Sequence, residues 1–259
     1  MLKVEGLAKR YGEVWAVRNL TVSLAGGGCL ILLGQNGAGK TTAMRCMSGV
    51  VRPTSGSVFV EGVDAVADPD GARARIGMVP EIPGLYERMS AHAYLDYFAQ
   101  VYELEESARE RRIGELLARF DLAHAGDRWL GTFSKGMRQK VALIRATLHQ
   151  PRLVLADEPT SALDPDSAHV AWDYLLDLRR QGSALVVCTH DMEEAQTLAG
   201  RDGTIGVMSA GRLLAAGDFS ELTAVAGLHP HREVVEKPTL EEIYLAIVAG
   251  ERESEARPA

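Results

Sequence analysis

Runs of apolar residues that end in glycine or a polar residue recur along the chain, and each is followed by a helical pattern. They occupy residues 29–34, 76–81, 152–159 and 184–190. Uninterrupted apolar strands that alternate with helices are typical of a parallel sheet covered on both faces. We therefore predict an α/β fold with a mostly parallel sheet, and we expect functional residues at the carboxyl ends of its strands.

Two other regions have patterns typical of antiparallel strands. In the first 25 residues, Leu20, Val22 and Leu24 alternate with polar residues, and within residues 205–217 the sequence SAGR predicts a hairpin turn. These regions predict a small antiparallel β flank beside the main sheet.

Between residue 82 and about residue 150 the pattern becomes helical, which predicts a helical subdomain inserted in the core. Ser90 is placed to cap its first helix. We expect an apolar stripe on one face of that helix to pack in the core, with contact to a partner protein as the alternative. The stripe consists of Tyr94, Tyr97, Phe98, Val101 and Tyr102.

The end of the chain has its own composition. We place the main domain at residues 1–222 and predict an acidic extension over residues 223–259, because from Glu221 onward there are 8 Glu against 4 Lys and Arg. Thr239 and Glu242 have the spacing of a capping box, which predicts a short helix. Residues 251–259, ERESEARPA, predict a frayed or disordered tail.

The overall composition narrows the function classes. The 259 residues include 28 Lys and Arg against 35 Asp and Glu, so the chain lacks the basic excess of an electrostatic nucleic-acid binder. Cys29, Cys46 and Cys188 lie far apart in apolar segments, which predicts packed thiols rather than disulfides or a zinc site. We find no signal-peptide pattern and no apolar run of roughly 18 residues, so we expect no membrane span.

The most specific local pattern is GQNGAGKT at residues 34–41, which lies between a predicted buried strand and a helix. Glycines let successive backbone N–H groups converge on phosphate oxygens at the start of a helix. Lys40 would add a charge near the β- and γ-phosphates, Thr41 a hydroxyl for Mg²⁺, and Thr42 a phosphate contact. The predicted phosphate site comprises Gly34, Gln35, Asn36, Gly37, Ala38, Gly39, Lys40, Thr41 and Thr42.

Two adjacent acids end another predicted strand. Because side chains alternate along a strand, Asp157 and Glu158 face different ways; we assign Asp157 to Mg²⁺ and Glu158 to the attacking water. His190 ends a further strand, so it would reach the same edge and contact the γ-phosphate or the water. A solvated turn and a packing histidine are the alternatives. No N-K-x-D guanine signature occurs, which favours adenine.

Four segments follow one another at compact spacing: the phosphate loop, GTFSKGMRQKVALIRATL at 131–148, LVLADEPTSALDP at 153–165 and VVCTHDMEEAQTL at 186–198. Together they resemble the nucleotide-binding subunit of an ABC transporter, from residue 1 to about residue 222. The resemblance implies ATP and Mg²⁺ sandwiched between two such subunits; we expect a homodimer, with a heterodimer as the alternative. It also implies a separate transmembrane permease, a peripheral position on the cytoplasmic face of the membrane, and no nucleic-acid partner.

The same resemblance assigns roles to further residues. Tyr11 would stack on adenine, or else pack at a strand edge. Ser134 and Gly136 match the signature motif that meets the γ-phosphate held by the partner subunit. Asp164 matches the loop that crosses the dimer interface, and it also has the position of a helix N-cap.

Two departures from the family pattern stand out. The signature is FSKGM, in which Lys135 and Met137 replace a glycine and a glutamine. Glu81 stands where most relatives have glutamine; it could still meet Mg²⁺ or its water through an oxygen. Both features resemble the branch of prokaryotic drug, antibiotic and sodium exporters. The permease would then contact the chain near residues 81–102.

A soluble ABC-type ATPase that acts on ribosomes or chromosomes is the alternative function. It is disfavoured by the short helical insertion and the single phosphate loop. A clamp that binds ATP without hydrolysing it is a third possibility, against which Glu158 and His190 argue.

Overall fold

The computed structural model describes residues 1–200, 203–227 and 238–255. Its strands fall into two sheets. They are β1 (Leu2–Tyr11), β2 (Val14–Leu24), β3 (Cys29–Leu33), β4 (Ser55–Val60), β5 (Val63–Asp64), β6 (Ile76–Val79), β7 (Leu153–Asp157), β8 (Ala184–Thr189), β9 (Thr204–Ser209) and β10 (Arg212–Gly217).

The main sheet has the strand order β10-β9-β3-β8-β7-β6, and all its pairs except β9 with β10 are parallel. The predicted parallel strands are therefore confirmed. Each ends one or two residues before the predicted limit, because the last residues of each predicted run already belong to loops. These loops gather at the carboxyl edge of the sheet, where β7 and β3 are separated only by β8.

The main sheet separates two apolar cores. In β3, Ile31 and Leu33 pack with the helices on one side, whereas Leu30 and Leu32 pack with the second sheet on the other. All five residues of this strand are buried. Burial on both faces explains why the strand is an unbroken apolar run rather than an alternating one.

The second sheet is antiparallel, with the order β2-β1-β4-β5, and it forms the predicted β flank. The hairpin β9–β10 is a different case, because β9 pairs in parallel with β3 and so belongs to the main sheet. Its turn residues Ala210 and Gly211 both have positive φ, +46° and +80°, as a two-residue hairpin turn requires. The turn prediction was right, and the placement of this hairpin in the flank was wrong.

The described helices cover both faces of the main sheet. They are α1 (Lys40–Met47), α2 (Pro69–Arg73), α3 (Ala91–Val101), α4 (Glu106–Arg119), α5 (Lys135–Thr147), α6 (Pro165–Arg180), α7 (Met192–Ala199), α8 (Phe219–Val225) and α9 (Leu240–Glu255), with 3-10 turns at Ala123–Ala125 and Leu130–Thr132.

Helices α3, α4 and α5 lie within the predicted helical insertion. Ser90 caps α3 as predicted, since its hydroxyl accepts a hydrogen bond from the Ala93 N–H. The stripe on α3 does not all pack in the core: Tyr94 is fully buried, whereas Tyr97 and Val101 are 47% and 59% exposed. The expectation of core packing was therefore wrong for Tyr97 and Val101, whereas Phe98 packs against the core.

Helix α9 packs on the core. Thr239 and Glu242 form the predicted capping box, in which each side chain bonds the other's backbone N–H. Helix α9 is longer than predicted and includes residues 251–255, for which we expected fraying. Helix α8 spans residue 222, the predicted end of the main domain; the division into domains stays a prediction. Residues 228–237 and 256–259 of the predicted extension lie outside the described residues.

Within the described residues, no helix has the length and apolar character needed to span a bilayer. Cys29, Cys46 and Cys188 are all buried, as predicted for packed thiols.

The contact between His149 and Tyr102 predicts how the stability of the fold depends on pH. The His149 ring stacks on Tyr102 at a centroid distance of 3.7 Å, and burial lowers the pKa of His149 to about 4. The folded state therefore resists protonation of a group that titrates near pH 6.5 when unfolded. The stabilisation is complete above pH 6.5 and is lost as the pH falls from 6.5 towards 4.

We expect the wild type to lose about 2 kcal/mol between pH 7 and pH 5 that His149→Phe does not lose. Denaturant unfolding of both proteins at the two pH values measures this difference. Equal losses in the two proteins would show that His149 does not carry the effect.

Candidate nucleotide-binding site

The phosphate loop leaves the buried strand β3 and leads directly into α1. Gly39 precedes the first helical residue, Lys40, with a left-handed φ of +101°. A Cβ atom at Gly39 would also clash with the carbonyl oxygen of Ala16 on β2. Glycine is thus required here by both backbone angle and space, and the loop ends at the start of a helix, where anions bind.

Lys40 points back into this loop and is almost fully buried, at 6% exposure. Its ammonium Nζ donates to the carbonyl oxygen of Gly34 at 2.5 Å and lies 3.9 Å from Glu158 Oε1. Burying a charge is costly unless it is paired and hydrogen-bonded, and these two groups supply that pairing. A triphosphate in the loop would offer the same ammonium stronger acceptors.

The two acids at the end of β7 diverge because the backbone turns sharply between them. Asp157 is the last residue of the strand, whereas Glu158 has a left-handed φ of +47°. The Glu158 N–H donates to the carbonyl oxygen of Cys188 at 2.9 Å, which ties the turn to β8. A non-glycine residue held in this conformation is costly, and such residues concentrate at functional sites.

Asp157 is buried beside Thr41. Burial raises the pKa of Asp157, the Thr41 side chain opposes that rise through a hydrogen bond, and the charge of Glu81 adds to it. The carboxylate oxygen Oδ1 is buried and has no hydrogen-bond partner among the described residues.

An unsatisfied buried carboxylate oxygen next to a hydroxyl fits the donor set that Mg²⁺ prefers. No cluster of three His, Cys, Asp or Glu side chains suited to a metal occurs in the described part of the chain. A magnesium ion here would therefore take its remaining ligands from phosphate oxygens and water, as is usual for Mg²⁺ bound with a nucleotide.

Glu158 and His190 form a hydrogen-bonded pair. His190 Nδ1 lies 2.8 Å from Glu158 Oε1, and the imidazole is more exposed than the carboxyl group, at 59% against 10% of the side chain. Burial raises the pKa of Glu158, and the hydrogen bond and charge of His190 act in the opposite direction. The pair thus holds a carboxylate of raised basicity next to the phosphate loop.

Glu194, an acid that the sequence analysis missed, holds the segments on either side of this pair together. Glu194 on α7 accepts hydrogen bonds from the Thr160 hydroxyl and from Trp172 Nε1 through one oxygen, and from the Thr189 hydroxyl through the other. It therefore joins the segment after Glu158 to the residue before His190. The i+4 spacing of Glu194 from His190 was the available signal.

A cleft of about 290 Å³ brings most of the predicted residues together. Its lining includes phosphate-loop residues together with Glu81, Asp157 and Glu158. It also includes Val14, Trp15 and Ala16, which the sequence analysis did not select. Tyr11 is not in this lining; it lies at the end of β1, paired with Val14, and is 49% exposed.

Gly34 and His190 are not in the lining either, but they bond Lys40 and Glu158, which are; the other predicted residues form a separate cluster. Ser134 caps α5 by accepting from the Met137 N–H at 3.1 Å, and Asp164 caps α6 by accepting from the Ser167 N–H at 2.9 Å. A Cβ atom at Gly136 would come within 3.0 Å of the Ala162 carbonyl oxygen. The signature and the loop containing Asp164 are thus close to each other, and Ser134, Gly136 and Asp164 do not line the cleft of their own chain.

A phosphate loop that faces an acid pair and a histidine across the ends of parallel strands defines the P-loop nucleoside triphosphatases. A family model described as ABC transporter matches residues 17–161. The chain belongs to the ABC transporter family, and it is the ATP-binding, ATP-hydrolysing component.

Individual relatives agree with this assignment. The daunorubicin resistance ATP-binding protein DrrA3 of Streptomyces coeruleorubidus is 36% identical over 87% of this chain and 71% of its own. The Nod factor export ATP-binding protein I of Ralstonia nicotianae is 35% identical over 86% of this chain and 68% of its own. A dimeric post-hydrolysis structure of the ATP-binding cassette MJ0796 with ADP and Pi has a TM-score of 0.75 at 26% identity, covering 84% of this chain and 98% of that one.

The Glu158–His190 pair gives a test by titration. Because the hydrogen bond and charge of His190 lower the pKa of Glu158 while burial raises it, His190→Phe should raise that pKa further above the ordinary glutamate value of 4.5. The carboxylate would then become protonated at a higher pH than in the wild type.

Carbon-13 NMR titration of the Glu158 carboxyl group measures the shift, and ATP hydrolysis should show its acid limb moving the same way. His169→Gln, at an exposed histidine on α6, is the matched control and should leave both unchanged. An unmoved Glu158 titration in His190→Phe would contradict the coupling.

Proposed function

We propose that this chain powers export of a substrate across a membrane, by binding and hydrolysing ATP together with a second nucleotide-binding subunit and a separate permease. The observation that carries the proposal is the convergence of Lys40, Glu158 and His190 at one sheet edge, with Oε1 of Glu158 within 3.9 Å of Lys40 and 2.8 Å of His190. The names of the relatives support an export role.

In this proposal the triphosphate lies along the loop from Gly34 to Thr42 and accepts hydrogen bonds from backbone N–H groups of that loop other than those of Gln35 and Ala38, which are bonded within the chain. Lys40 moves from the carbonyl oxygen of Gly34 to the phosphates. Asp157, Thr41 and Glu81 would hold Mg²⁺, which when bound neutralises charge on the phosphate oxygens. Tyr11 stacks on the adenine ring, beside the part of the cleft that Val14 and Trp15 line.

Glu158 is the proposed general base. Its raised pKa brings its basicity closer to that of a proton acceptor working near neutral pH. It accepts a proton from the water that attacks the γ-phosphate, while His190 orients the carboxylate and contacts the phosphate. Glu194 keeps the two in register by bonding the residues that flank them.

A second subunit completes the site in this proposal. Ser134, Gly136 and Asp164 do not line the cleft of their own chain, and in this proposal they form the second half of the site of another subunit. Two copies related by a two-fold axis would place the signature of each against the γ-phosphate of the other. The γ-phosphate then favours the closed dimer, and its loss reopens it.

The permease would bind beside α3, where apolar side chains remain in solvent. Ile82, Tyr86, Tyr97 and Val101 are 78%, 52%, 47% and 59% exposed. We name these four residues the α3 patch. Glu81 at the cleft immediately precedes Ile82, so a protein bound at the α3 patch would be close to the nucleotide. In this proposal the chain lies at the cytoplasmic face of the membrane.

The ribosome or chromosome alternative has no comparable support. The helices of the insertion, α3, α4 and α5, have 11, 14 and 13 residues, which is too short for the long coiled coil of chromosome ATPases.

Replacing the proposed base tests the mechanism. Glu158→Gln should retain ATP binding but lower steady-state hydrolysis by about 100-fold or more, because an amide does not accept the proton. Size-exclusion chromatography with ATP should show the variant trapped as a dimer. Glu193→Gln, at an exposed acid on α7, is the control, and undiminished hydrolysis by Glu158→Gln would refute the assignment.

The α3 patch predicts a second outcome. Ile82→Asp should abolish co-purification of a polytopic protein from detergent-solubilised membranes while ATP binding persists, because a charge in an apolar contact is costly. Val225→Asp, at a residue 64% exposed on α8, is the matched control. Recovery of ribosomes or DNA with the wild type, instead of a polytopic protein, would overturn the export proposal.

A further inference from the structure

The C-terminal helix contacts the phosphate loop directly. Tyr244 on α9 is 3% exposed, and its hydroxyl accepts a hydrogen bond from the backbone N–H of Gln35 at 3.2 Å. The two residues are 209 positions apart in the chain. Nothing in the mechanism above uses this contact.

The contact falls on one particular peptide unit. The carbonyl oxygen of Gly34 and the N–H of Gln35 are the two ends of the same planar peptide. Lys40 donates to the carbonyl end at 2.5 Å, and Tyr244 accepts from the N–H end. The peptide that begins the phosphate loop is therefore held from both sides, by the residue that meets the phosphates and by the C-terminal helix.

The position of the Tyr244 ring is itself fixed. Leu240, Ile243 and Ile247 of α9 are buried in the same core as β3, and the Thr239–Glu242 capping box starts the helix. Tyr244 and Val248 border the outer side of the loop. The hydroxyl is thus presented by a rigid element, as a positioning group must be to hold a backbone in one orientation.

We propose that Tyr244 is a positioning residue for ATP binding, whose hydroxyl sets the orientation of the Gly34–Gln35 peptide and so the starting geometry of the phosphate loop. Without it, the Gln35 N–H loses its acceptor, and this peptide is held only at its carbonyl end, by Lys40. ATP would then have to order the loop as it binds, which weakens affinity without altering the groups that react. The inference rests on the assignment of residues 34–42 as the phosphate site.

The test is Tyr244→Phe, which keeps the ring and removes the hydroxyl. We expect the Kd and KM for ATP to rise roughly three- to tenfold, the worth of one hydrogen bond, with kcat within about twofold of wild type. Amide hydrogen exchange at Gln35 should become faster. Leu245→Ala, at the adjacent residue that is 54% exposed, is the matched control. It should change neither the affinity for ATP nor amide exchange at Gln35.

A second variant approaches the same bond from its other partner. Gln35→Pro has no N–H to donate, so adding Tyr244→Phe in that background should cause no further loss of ATP affinity. Additive losses would overturn the inference, as would an unchanged Kd in Tyr244→Phe.

Lys40→Ala distinguishes a failure of the role proposed for Tyr244 from a failure of the phosphate-loop assignment. Loss of ATP binding in Lys40→Ala with an unchanged Tyr244→Phe would reject the role of Tyr244 and retain the phosphate loop. Full ATP binding in Lys40→Ala would reject the loop assignment and, with it, the inference. A thermal midpoint of Tyr244→Phe close to that of wild type would show that the change in affinity is not loss of folding.

Discussion

The buried ammonium group of Lys40 is the interaction on which the rest of the site depends. A charge that is 6% exposed must be paired, and its partners are the Gly34 carbonyl and the Glu158 carboxylate. Those partners come from the ends of β3 and β7, which stay close because only β8 separates them. The parallel strand order therefore decides whether the cation is tolerated, and a triphosphate in the loop would relieve the same constraint by supplying better acceptors.

The same strand order accounts for how much the sequence could predict. Strands buried on both faces leave an unbroken apolar run, so β3, β6, β7 and β8 were recognisable, and parallel pairing then placed Lys40 and Asp157 at one edge. The caps at Ser90 and Thr239 were also predictable, because each cap joins residues only three positions apart. Each of these features is encoded within a few neighbouring residues.

The features that were missed depend on partners distant in sequence. Tyr97 and Tyr94 look alike in a helical pattern, and only the position of other elements decides that one is exposed and the other buried. The hairpin strand β9 shows its turn in SAGR, but its parallel pairing with β3 joins segments about 170 residues apart. The hydroxyl of Tyr244 belongs to this second group, since no local pattern indicates a bond to Gln35.

A contact between α9 and the phosphate loop has a thermodynamic consequence for the whole chain. If the docked helix favours the loop conformation that binds ATP, then bound ATP must favour the docked helix by the same free energy. The main sheet fixes the strands that hold Lys40. The orientation of the first loop peptide depends also on α9, the helix that follows residues 228–237. Displacement of α9 should therefore change the affinity for ATP before it disturbs the acid pair at β7.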